Sequence, residues 1–241
     1  MRREILAFLI LSTLVSAALD QSYVMTVDRE GNSQISKSMD FLVFTEDFSE
    51  EDFAKVKEIC QSDSEIDCSV EGSTLTITEA FSPGQYYSYQ ADYGVPYITY
   101  SLNLKSIPAD RFDSSMNRLL MKAGAPSGSS GMPIDLSEAV KNRQNAEFLR
   151  KYDVNITYDL IMPTGISSSQ ANGSDIGAVS GNIVSYDVVS LMERSGQVSI
   201  KSGELNMGYL IILAAAVVLG ALAFSFFNSK PVKKTGKKKK K

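Results

Sequence analysis

Histidine and tryptophan are both missing from this 241-residue chain, and cysteine occurs only twice. Without histidine there is no Ser-His-Asp or Cys-His nucleophile, no imidazole-ligated zinc and no histidine-bound haem. Ser-x-x-Lys is not present either, and neither a P-loop nor a Gly-x-Gly-x-x-Gly turn occurs to cradle phosphate. Acidic residues are plentiful, as in Glu46-Asp47 and Glu50-Glu51-Asp52. A carboxylate pair can serve a glycosidase, but acids gathered at a helix start read as a solvated face, and their spacing is not that of a calcium loop. No catalytic residue, metal ligand or cofactor is expected.

Charge is scarce in one place above all. From Gly208 to Phe227 the chain reads GYLIILAAAVVLGALAFSFF, with no ionisable side chain apart from Tyr209. A helix of that length rises about 30 Å, the thickness of a bilayer's hydrocarbon core, and satisfies its own backbone hydrogen bonds there. Eight lysines follow it in FNSKPVKKTGKKKKK. The positive-inside rule then puts residues 228–241 in the cytoplasm and residues 19–207 outside, with Tyr209 as an interfacial anchor. The lysine tail is expected to meet anionic lipid on the inner leaflet. No aromatic side chain interleaves these lysines, so nucleic acid is not expected as a partner. Ala216-x-x-x-Gly220 offers a small-residue approach between two such helices.

The other end carries Arg2-Arg3, an apolar run from Ile5 to Val15 and small residues at Ala17 and Ala18. That pattern is a signal peptide over 1–18, with an uncleaved anchor as the rival. The eight terminal lysines and the two leading arginines leave residues 19–207 with 14 bases against 27 acids, a net charge of −13. Such a body is poorly suited to binding nucleic acid or anionic lipid through a broad electrostatic face. Cys60 and Cys68, in an exported domain, are expected to form a disulfide that staples a short loop. Asn155-Ile-Thr and Asn172-Gly-Ser are sequons on the same side.

Along the body, Tyr23–Val27 and Gln34–Phe44 read as a hairpin around Gly31-Asn32. Ser49 caps a helix that places Phe53, Val56, Ile59 and Cys60 on one face. Strands are expected over 68–81, 97–107, 154–162, 182–191 and 197–201. Helices are expected over 110–122, with Phe112, Met116, Leu119 and Leu120 as its stripe, and from the Asp135/Glu138 capping pair to Tyr152. The small, polar segment 123–133 is a flexible loop or linker. Strands and helices do not alternate, so the expected class is α+β: a largely antiparallel sheet packed with two or three helices, followed by one C-terminal transmembrane helix.

The stretch YDVNITYDLIMPTGISSSQANGSDIGAVSGNIVSYDVVSLMERSGQVSIKS resembles the closing strands of LppM-type envelope domains. The matching residues are Pro163, Gly165, Asn172, Gly173, Gly181, Asn182 and Tyr186. The resemblance implies an exported, membrane-tethered α+β domain with a lipid or glycolipid partner, and carries no ligand residue across. This chain has no cysteine at the cleavage site, so its tether must be the helix.

One further stretch, YYSYQADYGVPYITY, crowds tyrosines together. A flat ring with a polar tip suits a sugar, a lipid head group or a partner protein. Tyr86, Tyr87, Tyr89 and Tyr93 are therefore the candidate contact residues, unless they simply furnish strands. The functional expectation is a non-catalytic binding or interaction module of the cell envelope on a single-pass anchor. A lipid- or glycolipid-binding domain is the alternative, and a carboxylate-dependent hydrolase the third reading.

Overall fold

The computed structural model describes residues 20–40, 50–63, 65–124, 134–151, 154–194 and 196–228. The signal peptide read at 1–18, most of the loop at 123–133, the Ser49 cap and the lysines after Asn228 lie outside them.

The described residues form two main sheets. The larger has the order β12-β13-β9-β1-β2-β4-β3, built from β1 (Asp20–Val27), β2 (Ser33–Asp40), β3 (Cys68–Glu71), β4 (Thr74–Phe81), β9 (Asn155–Ile161), β12 (Ala178–Ser180) and β13 (Ile183–Asp187). The second has the order β11-β10-β14-β6-β5, from β5 (Tyr87–Tyr93), β6 (Tyr97–Leu104), β10 (Ile166–Ala171), β11 (Ser174–Asp175) and β14 (Val198–Leu205). A short pair, β7 (Ser106–Ile107) with β8 (Ile134–Asp135), stands apart. Pairing is antiparallel except between β1 and β9. The α+β class expected from the sequence is what the chain adopts.

Period-two patterning builds the larger sheet. In β2 the odd residues Ser33, Ile35, Lys37 and Met39 are buried while Gln34 stays exposed. Register carries the same parity across Met25, Ile77 and Tyr158, so one face is apolar and the other is lined with short hydroxyls. On that outer face Ser36 bonds Thr78 and Ser38 bonds Thr76, each at 2.9 Å. Helix α2 (Ala109–Ala123) covers the apolar face with Phe112, Leu119 and Leu120, and the Phe112 ring meets Tyr23 edge-on at 5.7 Å. Helix α1 (Glu50–Ser62) packs beside it and α3 (Ala139–Lys151) lies against α4 (Val188–Arg194). Both sheets contribute to one core, since Tyr100, Leu102, Val198 and Ile200 belong to the same buried cluster as Met25 and Leu75.

Turn chemistry corrects three expectations. The strand over 68–81 is a hairpin, because Gly72 takes φ +60 in the two-residue loop between Glu71 and Thr74. The serine-rich segment after Gly165, which the sequence reads as a loop between the strands over 154–162 and 182–191, forms β10, β11 and β12 instead, with Asn172 (φ +50) and Gly173 (φ +77) making the tight turn between the first two. The strand expected to reach Leu191 stops at Asp187. That carboxylate accepts the Val189 and Ser190 amides at 3.0 and 3.3 Å and starts α4 instead, so valines of high strand preference enter a helix that buries them. Strand β5 runs through the tyrosine-rich stretch, in line with the plainer reading that these tyrosines furnish strands.

Candidate functional site: the joint between the domain and the apolar helix

Strand β14 ends at Leu205 and the apolar helix α5 (Met207–Asn228) begins two residues later. The single residue between them, Asn206, uses its backbone and both ends of its side chain. Its amide donates to the Pro96 carbonyl at 2.8 Å, and its Nδ2 donates to the Gly94 carbonyl at 3.2 Å. Its Oδ1 accepts the Tyr209 amide at 3.2 Å and its carbonyl accepts the Leu210 amide at 3.1 Å. Asn206 is thus the helix N-cap, satisfying an amide that the first turn leaves without a partner. The same side chain fastens the helix start to the tip of the β5–β6 hairpin.

The helix's apolar span is 21 residues, from Met207 to Phe227, and no part of the most apolar stretch is buried against the domain. It is long and apolar enough to cross a membrane. Ala216 and Gly220 lie on it, both exposed.

Two residues upstream of the joint, Glu204 gathers partners from elsewhere in the fold. Arg29 reaches it with Nη2 2.7 Å from Oε2, and the Tyr100 hydroxyl donates to Oε1 at 2.9 Å. Burial pushes the Tyr100 hydroxyl pKa upward, and its bond to the carboxylate adds to the rise. Arg29 belongs to the β1–β2 turn, which is clamped onto the second sheet. The Tyr89 hydroxyl donates to the Arg29 carbonyl at 3.2 Å, and the Tyr89 ring stacks on Tyr100 at 6.2 Å.

The four candidate tyrosines fall into two groups. Tyr87 is fully buried, its hydroxyl 2.8 Å from the Gly31 carbonyl and 3.1 Å from that of Phe81. Tyr86 is buried edge-on against Phe81 at 5.3 Å, with its hydroxyl 3.4 Å from Asp110 Oδ2. Tyr89 lies half-buried under the turn. Burial raises the pKa of all three. These three fasten the β1–β2 turn, β4 and α2 to the second sheet. Tyr93, by contrast, is 69% exposed at the hairpin tip.

Cys60 and Cys68 are joined as a disulfide, with Cα atoms 5.1 Å apart, linking the end of α1 to the start of β3. Asn155 is exposed at the start of β9. Asn172 is exposed too, but its Nδ2 donates to the Arg194 carbonyl at 3.1 Å and its side chain packs on Gly196. A glycan there would replace that bond.

Residues that sequence reasoning did not single out hold the centre of the larger sheet's helix-covered face. Lys37 is buried over the Tyr23 ring, 5.5 Å from its centroid, with Nζ 3.3 Å from Asp113 Oδ1 on α2. Burial alone lowers a lysine pKa, but the Tyr23 hydroxyl and the Asp113 carboxylate together hold this one above its ordinary value. A lysine in strand period with apolar neighbours was the available signal.

Carboxylates come together at Asp63 and Glu65, but around the Lys122 ammonium. Among the described residues no cluster of three potential metal ligands occurs. Among the described residues two hollows are open to solvent: one of about 530 Å³ beside Val27, Asn32, Gln34 and Phe81, one of about 420 Å³ between Glu65, Glu79, Arg111 and Arg118. No family model matches the chain, and a search of curated proteins returns no match.

Proposed function

We propose that the chain is a single-pass, membrane-tethered binding module of the cell envelope. Residues 19–207 stand outside and the lysine tail reaches the cytoplasm. The carrying observation is the joint: a strand of a filled domain passes through one capped residue into an exposed apolar helix of bilayer length. An exposed apolar surface of that size belongs in lipid. The lysine imbalance supports this direction, with eight lysines after the span and only Lys201 close before it.

The reading gives the domain no reaction to perform. Its partner meets a surface, since one buried apolar cluster occupies the interior and both hollows open to solvent, one between charged and polar side chains and the other between polar ones and Val27, Ala80 and Phe81. The resemblance to LppM-type domains keeps lipid or glycolipid as an alternative ligand. That alternative gains little from these hollows, since neither is an enclosed apolar cavity.

Topology tests the proposal directly. The structure has no free cysteine, so a single added thiol reports its own compartment. A membrane-impermeant maleimide on intact cells should label Ser174→Cys, and should label Ser229→Cys only after permeabilisation. Labelling of Ser229→Cys in intact cells overturns the orientation. Recovery of the full chain in the soluble fraction overturns the tether.

A further inference from the structure

From the hairpin tip at the joint, we infer that the β5–β6 loop is a second membrane contact. It dips into the lipid head-group layer beside α5 and fixes how the domain sits on the bilayer. This inference rests on α5 spanning the membrane and adds to it a lipid-facing surface on the folded domain.

Position is the first argument. Two hydrogen bonds from Asn206 hold the carbonyls of Gly94 and Pro96 against the residue that caps the helix. Where the helix enters lipid, the hairpin tip is at the same level, with no linker to lift it away.

Chemistry is the second. Tyr93, Val95 and Tyr97 are 69%, 64% and 57% exposed, and Leu205 and Met207 are 47% and 63% exposed beside them. Tyr93 pairs with Ile98 and Tyr97 with Leu205, so both faces of the sheet end in an apolar side chain at this edge. Nine large apolar side chains are exposed before Gly208 among the described residues, and five of them are these. The other four are dispersed over Met121, Val140, Val179 and Ile183. Scattered exposed hydrophobics need no explanation, whereas a cluster marks a contact.

The loop Tyr93–Tyr97 carries no charge, and tyrosine is a residue of the membrane–water boundary, its ring in the apolar layer and its hydroxyl in the wet one. A protein partner is the competing occupant. Continuity with the helix start favours lipid, because any partner would have to displace the bilayer surface that the joint already holds there. The acidic body repels anionic lipid, so the contact should form equally in neutral vesicles.

The absence of tryptophan makes the test clean. Three single-tryptophan variants of the full chain, Val95→Trp, Val217→Trp and Ser174→Trp, are reconstituted in phosphatidylcholine vesicles containing lipid brominated near the head group or near the bilayer centre. Ser174 pairs with Ala171 and so sits at the level of Val198, the far end of β14. That is roughly 23 Å from the joint at strand rise. Val217 is about 15 Å into the helix, near mid-membrane. Val95→Trp should emit at shorter wavelength than Ser174→Trp and be quenched several-fold more by shallow bromine than by deep. Val217→Trp should be quenched best by deep bromine. Quenching of Val217→Trp with Val95→Trp as unquenched as Ser174→Trp overturns the loop contact and leaves the span intact. An unquenched Val217→Trp overturns the span and the inference with it.

Discussion

Gly31 lies flat on the ring of Tyr89: a Cβ built on it would stand 2.3 Å from the ring carbon Cδ1. The backbone there also has φ +90, a conformation side chains resist. This contact, with the Tyr87 and Tyr89 hydroxyls on neighbouring carbonyls, presses the β1–β2 turn onto the second sheet. Gly31→Ala is expected to cost about 2–4 kcal/mol, from overpacking and backbone strain together. Denaturant unfolding checks it. Combining it with Tyr89→Ala should cost less than the sum of the two single changes, because removing the ring relieves the clash.

Asn206→Ala removes a helix cap and a tie to the hairpin in one substitution. A lost N-cap costs about 1 kcal/mol, and the Gly94 bond adds about 0.5–1.5 kcal/mol. The expected outcome is faster hydrogen exchange at Tyr209 and in the 93–97 loop, with the core strands unaffected. Asn206→Asp should preserve the cap and lose only the donor to Gly94, so exchange should rise in the loop alone.

The disulfide closes a short loop, with partners eight residues apart. Chain-entropy arguments give such a loop about 2–3 kcal/mol. Cys60→Ser with Cys68→Ser should therefore lower Tm by roughly 4–10 °C for a domain of this size. Val56 and Ile66 remain buried in the core without it, so the domain should still fold. Loss of all cooperative unfolding would show the staple to be indispensable.

Lys37 and Asp113 form a partly buried pair whose lysine is almost wholly withdrawn from water. Removing one partner strands the other charge, while removing the buried charge itself does not. Asp113→Ala should thus destabilise by about 2–4 kcal/mol. Lys37→Met, of similar length and without the ammonium, should change stability by less than about 1 kcal/mol. Equal losses from both would mean the pair contributes attraction beyond its desolvation cost.

Much of this architecture is legible in local chemistry, and the exceptions share a cause. The stripe of Phe112, Leu119 and Leu120, the alternation of Leu75 and Ile77, and the long uncharged run each state their element without help. The segment 188–191 misleads because Val-Val is strand-like by propensity, and only the cap from Asp187 decides for helix. The serine-rich segment misleads because its side chains give no apolar alternation. Its strands exist through pairing with β13 and β14, partners that periodicity cannot name. The tyrosine-rich stretch was visible as a feature, but which tyrosines become scaffold depends on where the β1–β2 turn lands. The joint at Asn206 was hidden for the same reason: Gly94 lies 112 residues away in sequence.

Among the described residues seven tyrosines have raised hydroxyl pKa values, and they predict an alkaline limit to stability. Burial is the main cause at Tyr23, Tyr86, Tyr87, Tyr89, Tyr100, Tyr158 and Tyr186, the last pushed up to about 12. A raised pKa means the folded chain keeps protons that the unfolded chain gives up near pH 10. Their contribution is therefore complete below that pH and is lost as pH rises through the folded values. Lys37 has the same sign. On the acid side Asp63, lowered by Lys122, Asp135, lowered by Ser137, and Glu193, lowered by Arg150, contribute stability above about pH 4 that fades as pH falls. The Lys122 and Arg150 partners of Asp63 and Glu193 are open to water and Asp135 is held mainly by Ser137, so these three contribute little. With no histidine, stability should be flat between about pH 6 and 9. Above about pH 10 it should fall steeply, more so than at acid pH. Tyrosinate absorbance of the reconstituted chain checks this: the buried share should appear together with loss of far-ultraviolet signal. Its appearance in a chain still folded would mean these hydroxyls reach water without unfolding.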